Sequence, residues 1–346
     1  MQVLIAGGGI AGLACAIALA DRGHAVTLVE RRPCGRAEGA GLILWPQACQ
    51  VLGTLGLLPA ITAHAAPLLG LERRSLAGER LQAFDFRDIR PPAVLRAHVM
   101  AVLEDAARQR DVKLHFGLAA VDVTASGGPG SPAVVATSDG RRFEADLVVG
   151  ADGRMDSVVG RRLRTTAPVD HGLVSWVGVA EGMAPALGGA AVDFWVKGAR
   201  LGVVPCGADR AYWAATVRAA LVDDARPWRD TVQALLPDAD GLVQRVLAAT
   251  NEAAVHRHRL FDVEPDGAWH RDRLVLVGDA AHASLPTTGR GATEALLDAD
   301  ALAAALPADA SFSALQAALS GYTRARRADA TANMLAAREL SRRVFG

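Results

Sequence analysis

The stretch VLIAGGGIAGLA (Val3–Ala14) limits this chain more tightly than any other part of it. It reads as a buried strand (Gln2–Ala6), three glycines, then an apolar helix over Ala11–Asp21, followed by a second strand at Ala25–Glu30. Gly7-Gly8-Gly9-Ile10-Ala11-Gly12 satisfies G-x-G-x-x-G in the one context where that pattern has a mechanism, between a strand and a helix. Gly7 makes the tight turn, Gly9 lets a pyrophosphate approach the backbone, and Gly12 lets the helix pack on the strand. The helix start then offers free N–H groups and partial positive charge to phosphates. Glu30 closes the second strand, placed to accept from a ribose hydroxyl. Its charge disfavours a ribose 2′-phosphate, so FAD or NAD suits this βαβ unit better than NADP.

The uncharged run Val3–Ala20 could be mistaken for a leader or a membrane span. No basic residue precedes it and Gly7–Gly9 interrupt it, so we expect no membrane span and a cytoplasmic protein. Lys+Arg and Asp+Glu number 37 each, which leaves no net field for nucleic acid or an anionic surface. Four cysteines (Cys15, Cys34, Cys49, Cys206) form no C-x-x-C pair, as suits free thiols in a reducing compartment. At 346 residues the chain exceeds the roughly 250–300 at which one core stops growing, so two are expected.

Along the chain, apolar periodicity predicts helices at Pro46–Leu55 and Ala97–Arg110. Strands are expected at Lys113–Phe116, Ala119–Thr124, Ala133–Thr137 and Arg142–Val149. From His171 to Phe261 the pattern is mainly antiparallel strand, and the chain returns to a buried strand at Leu274–Val277 and to helices thereafter. The fold class is therefore α/β, a Rossmann-like nucleotide domain interrupted by a sheet-rich one. We assign 1–70, 91–168 and 263–346 to the former and 71–90 and 169–262 to the latter.

A second broken turn decides between the two dinucleotides. In GDAAHASLPTTGRGATEALLDADAL (278–302), Asp279 ends a strand where it can accept from a sugar-alcohol chain. After Pro286, Gly289 and Gly291 allow backbone to approach a flat ring, and the helix Ala292–Leu302 aims its N-terminus there. NAD has no ribityl chain to occupy such a site; FAD has one.

Together with GADGRMDSVVGRRL (150–163), GAGLILWPQA (39–48) and Arg96 in AVLRAHVMAVLEDAA, the two turns give the chain its resemblance to the single-component FAD-dependent aromatic hydroxylases, the family with the p-hydroxybenzoate hydroxylase fold. The resemblance implies that Gly7, Gly9, Ala11, Gly12 and Glu30 hold the ADP half of FAD, with Arg31 and Ile43 nearby. Arg96 would reach the phosphate–ribityl region and Val121 would lie by the adenine. Asp279 would bind the ribityl chain, and Pro286, Gly289, Arg290, Gly291, Ala292 and Thr293 would line the isoalloxazine. Asp152, Gly153 and Arg161 would serve FAD and NAD(P)H together. With one G-x-G-x-x-G in the chain, NADPH or NADH would dock in a surface groove.

The activity implied is an NAD(P)H-consuming monooxygenase. Through a flavin C4a-hydroperoxide it would hydroxylate a small aromatic or polyketide-like substrate with molecular oxygen, as a monomer or homodimer. A flavin reductase of the same fold, or a flavin redox sensor, is the alternative. No metal is required, and His256-x-His258 lacks a third ligand in sequence. Arg200 is placed to pair with an anionic substrate oxygen or to lie on a hairpin surface. Tyr212 either relays a proton or is a plain sheet residue, and Trp176 and Trp195 either line the pocket or pack a core. Where the family usually has G-Q-G-x-N, this chain has Gly289-Arg290-Gly291-Ala292-Thr293. Arg290 would either stabilise reduced flavin or point to solvent. His282 is expected to order its loop, and Arg324, Arg326 and Arg327 to form a solvated helix face.

Overall fold

The computed structural model describes residues 1–346 apart from 34–40, 126–127, 129, 165, 239–240, 266 and 309–310. Cys34 and parts of the loops 33–41 and 126–132 thus lie outside the described residues; Cys15, Cys49 and Cys206 are free thiols.

Two large sheets organise the chain. The first has six strands in the order His270–Arg271, Leu274–Leu276, Leu147–Gly150, Gln2–Ala6, Ala25–Glu30 and Lys113–Phe116. All pair in parallel except the outermost, His270–Arg271. Leu147–Gly150 and Leu274–Leu276 are apolar throughout because these central strands are buried on both faces, under helices and under the small sheet that carries Ala133–Thr137. The helix Ile10–Ala20 packs against the helix Gly291–Ala305 and is buried from Ile10 to Leu19, which is why it shows no polar stripe.

The second sheet has seven strands in the order His256–Asp262, Val169–Ala180, Arg210–Arg218, Ala199–Cys206, Ala190–Val196, Gly70–Arg74 and Arg80–Asp85. It is antiparallel except where Ala190–Val196 runs parallel to Gly70–Arg74. Its far face packs on the helices Trp228–Leu235 and Leu242–Ala248 around Trp213, Phe194 and Val246, a cluster separate from the one around the first sheet.

The expected strand Arg142–Val149 is two strands in two sheets. Arg142–Ala145 pairs with Ala133–Thr137, while Leu147–Gly150 joins Gln2–Ala6. Asp146 makes the break: its N–H donates to Gln2 O at 2.9 Å and its carboxylate accepts from Gln2 N at 2.8 Å, so the chain turns there at no loss of pairing. A small sheet of Gly41–Ile43, Ala66–Pro67 and Pro92–Leu95 was not apparent in the sequence, because strands of two to four residues carry no usable periodicity. Among the described residues no helix is long and apolar enough to cross a membrane.

Candidate active site

The two glycine turns and the 150–163 segment meet at one place. A Cβ on Gly7, whose φ is +108°, would strike Ala151 O and lie 2.7 Å from Asp152 N. On Gly12 it would strike Gly7 O, and on Gly278 it would lie 2.7 Å from Ala11 Cβ. Glycine at these positions therefore lets three segments, distant in sequence, touch through backbone. Gly9, Gly289 and Gly291 are different: a Cβ there meets nothing within 4 Å, so these glycines border open space.

At the first turn, Glu30 is buried and fixes the loop that would carry a ribose. Its Oε2 accepts from Gly8 N at 2.6 Å and its Oε1 from Arg32 N at 2.8 Å. Arg31 is exposed beside Asp156, 3.5 Å away. Val121 is half-exposed on the strand Ala120–Thr124, whose Asp122 is tied to Arg162 at 2.6 Å. Arg96 is half-buried and opens the helix Arg96–Arg108.

Asp152 is bonded within its own segment. Its carboxylate accepts from Val158 N at 2.6 Å and from the hydroxyl of Ser157, whose Oγ caps the short helix Val158–Leu163 by accepting from Gly160 N at 2.7 Å. Burial pushes its pKa up, against these hydrogen bonds. Gly153 has φ +78° and Arg161 is exposed on that helix. The next residue, Arg154, was overlooked in the motif: its Nη1 donates to Asp279 Oδ2 at 2.9 Å and joins the middle segment to the second turn.

At the second turn Pro286, Gly289 and Gly291 are exposed, Ala292 is half-buried and Thr293 is fully buried. Trp45 Nε1 donates to Gly289 O at 3.2 Å, so the segment carrying Ile43 also holds this loop. Arg154 Nε, Thr288 Oγ1 and Thr293 Oγ1 are buried without a hydrogen-bond partner among the described residues. Unpaired buried polar atoms are rare in folded proteins. Three around one rim, with glycines open to space beside them, fit a polar ring and ribityl chain lying against this loop.

Arg290 neither projects freely nor stands alone. Its guanidinium meets Glu294 Oε1 at 3.1 Å. Glu294 Oε2 accepts from Arg326 Nη2 at 2.6 Å, and Arg326 Nε donates to Asp298 Oδ1 at 2.9 Å. Asp298 Oδ2 takes Gly278 N at 2.7 Å and His282 Nε2. The solvated face expected for Arg326 is thus wrong: the side chain is buried, because Glu294 and Asp298 face it from the neighbouring helix. Arg324 is exposed, and Arg327 donates to Pro265 O at 3.1 Å. Burial opposes charge on His282, but the Asp298 carboxylate outweighs it and raises its pKa. Burial likewise opposes the Asp298 anion, yet His282 and Arg326 hold its pKa below the usual carboxylate range.

Across from this loop stands the near face of the seven-stranded sheet. Arg200 Nε donates to buried Asp193 at 2.8 Å, and Arg200 Nη1 reaches Thr287 O at 3.5 Å. Trp195 Nε1 donates to the same carboxylate at 2.7 Å. Arg200 is therefore no hairpin surface charge; it spans from the sheet to the turn. Tyr212, one strand over, packs against Gly41 and lies in the apolar group of Val204, Ala191 and Ile43. Burial drives its phenol pKa well above the ordinary range, so it is protonated at neutral pH. Trp176 belongs to the far-face core, where alternation along its strand puts it, and does not line this side.

Known proteins share this arrangement. The family model described as "FAD binding domain" matches residues 1–337. The chain is 32% identical over 335 residues to aurachin C monooxygenase/isomerase of Stigmatella aurantiaca, covering 94% of this chain and 85% of that protein. It is also 32% identical to 2-heptyl-3-hydroxy-4(1H)-quinolone synthase of Mycobacteroides abscessus, covering 87% and 80%. The crystal structure of Klebsiella pneumoniae HpxO complexed with FAD and uric acid superposes with a TM-score of 0.85 at 27% identity, covering 98% of this chain and 87% of that one. The chain belongs to the family of these FAD-binding proteins, the FAD-dependent aromatic monooxygenases with a p-hydroxybenzoate hydroxylase-like fold.

Proposed function

We propose that this monooxygenase hydroxylates a planar, electron-rich aromatic or nitrogen-heteroaromatic molecule that carries an anionic oxygen, bound between the second turn and the near face of the seven-stranded sheet. The observation that carries the reading is Arg200, a cation held by buried Asp193 and extended to Thr287 O on the turn. The names of the relatives, a quinolone synthase and a protein crystallised with uric acid, support a heteroaromatic ring.

Gly7, Gly9, Ala11, Gly12 and Glu30 would hold the ADP half of FAD, and Asp279 with residues 286–293 the ribityl chain and ring. Bound FAD supplies reduction by NADPH or NADH and the activation of molecular oxygen. The chain's own part is positioning, charge and the exclusion of water. The Arg200 guanidinium orients the substrate and stabilises its anionic form, which raises the electron density of the ring. Asp193 keeps that guanidinium in place through Nε and leaves to the substrate the outer N–H groups not directed at Thr287 O. Tyr212 holds its proton at Oη and can donate a hydrogen bond to a ring oxygen. Ile43, Ala191 and Val204 keep that end of the pocket dry.

The division into 1–70, 91–168 and 263–346 for FAD and 71–90 and 169–262 for substrate is supported by the two separate apolar clusters. Free Cys15, Cys49 and Cys206 suit the cytoplasm, with the protein a monomer or homodimer. The test is oxidation of NADPH and of NADH by the purified protein in the presence of phenols, quinolones and purines, under labelled oxygen. Substrate-stimulated oxidation with label entering the product is expected. Nucleotide oxidation with no label in any product would assign a reductase instead.

A further inference from the structure

The network behind the second turn has a consequence for the electron affinity of the flavin. Arg290 caps the helix Gly291–Ala305 and puts a cation on the loop assigned to the ring. An unpaired cation on the loop beside the ring favours an anionic reduced flavin by Coulomb attraction. Glu294 lies one turn along the same helix and is 3% exposed. One of its oxygens holds Arg290 at 3.1 Å and the other holds Arg326 at 2.6 Å. A carboxylate fixed from both sides cannot swing away, and a cation paired to it presents a dipole whose field falls off faster than that of a charge.

We propose that Glu294 is a positioning residue that neutralises Arg290 and keeps the loop cation from raising the reduction potential of the bound flavin. Arg326 and Asp298 act through Glu294 by fixing its carboxylate, and Asp298 extends the same chain of charges to His282 and Gly278 N beside Asp279. The inference rests on the placement of FAD in the proposed function.

The test is a cycle of Arg290→Gln, Glu294→Gln and the double variant in the FAD-loaded protein, reading the two-electron midpoint potential against a reference dye. Glu294→Gln is expected to raise the ratio of reduced to oxidised flavin at a fixed potential about tenfold, or ~30 mV for a two-electron couple. Arg290→Gln, at a partly exposed position where the fold is not at risk, is expected to change the ratio less than about threefold, and the double variant to return to the wild-type value. A tenfold fall in Arg290→Gln alone would overturn the proposal, since the cation would then be acting unneutralised; that result is readable even if Glu294→Gln does not fold. A shift in Glu294→Gln that persists in the double variant would overturn it too, by assigning the effect to Arg326. Flavin-loaded Glu294→Gln with an unchanged potential defeats this inference alone, whereas wild-type protein that binds no FAD defeats the functional reading beneath it.

Discussion

The two glycine turns solve related problems by different means. The first, at Gly7–Gly12, is held almost wholly by backbone: glycines allow contact with Ala151 and Asp152, an apolar helix is buried behind it, and Glu30 accepts from Gly8 N. The second, at Pro286–Thr293, is backed by a chain of side-chain charges that runs from half-buried Arg290 to buried His282. A pyrophosphate needs N–H groups and a helix end, which backbone supplies to any such ligand. A flavin ring changes charge during turnover, so its support benefits from fixed charges that do not reorganise. On the proposed placement of FAD, the difference separates a site that binds from a site that tunes.

The sharpest way to break this comparison is Asp298→Ala. It strips buried His282 of its carboxylate and buried Arg326 of one of its two, and loss of a buried ion-pair partner costs about 3–5 kcal/mol, read as a large fall in thermal stability. Gly12→Val acts on the other turn by overpacking against Gly7 O and should cost about 1–3 kcal/mol, with loss of the visible flavin absorbance on purification. If Asp298→Ala were the milder change, the second turn would not depend on its network.

The sequence showed the first turn better than the second, for a physical reason. Backbone requirements leave a local signature, glycines at fixed spacing after a strand, and these were readable together with Glu30. The network behind the second turn is tertiary: Glu294 and Asp298 sit four apart on one apolar helix and meet Arg326 from another, about thirty positions on. Two acids at that spacing inside an apolar helix were the available clue. The set Arg324, Arg326 and Arg327 concealed it, because basic residues on a terminal helix are usually solvated. Arg154 and Trp45 were missed in the same way, each lying inside a recognised motif but acting through a partner over a hundred positions away. The strand break at Asp146 escaped because alternation continues through it. Alternation did resolve Trp176 from Trp195, once the register of the sheet was known.

Smaller effects sharpen the picture. Arg200→Gln should raise the KM for an anionic substrate about tenfold, roughly 1.4 kcal/mol, while FAD occupancy is unchanged. His282→Gln should alter the pH dependence of stability. The folded pKa of His282 lies above its ordinary 6.5, so its contribution is complete below that pH and fades as pH rises through the folded value. The stability advantage of wild type over His282→Gln should therefore shrink as pH rises, as followed by thermal melts across that range. Arg162→Ala, which removes an exposed pair with Asp122, should cost under about 1 kcal/mol, and serves as the baseline for the others.

The measurement closest to the central claim is titration of apoprotein with FAD and, separately, with ADP, comparing wild type with Gly7→Val and Gly289→Val. Two turns holding opposite ends of one ligand predict that Gly7→Val weakens both ligands, whereas Gly289→Val weakens FAD at least about tenfold and leaves ADP binding as it was. Equal binding of FAD by Gly289→Val and wild type would show that the second turn does not touch the flavin.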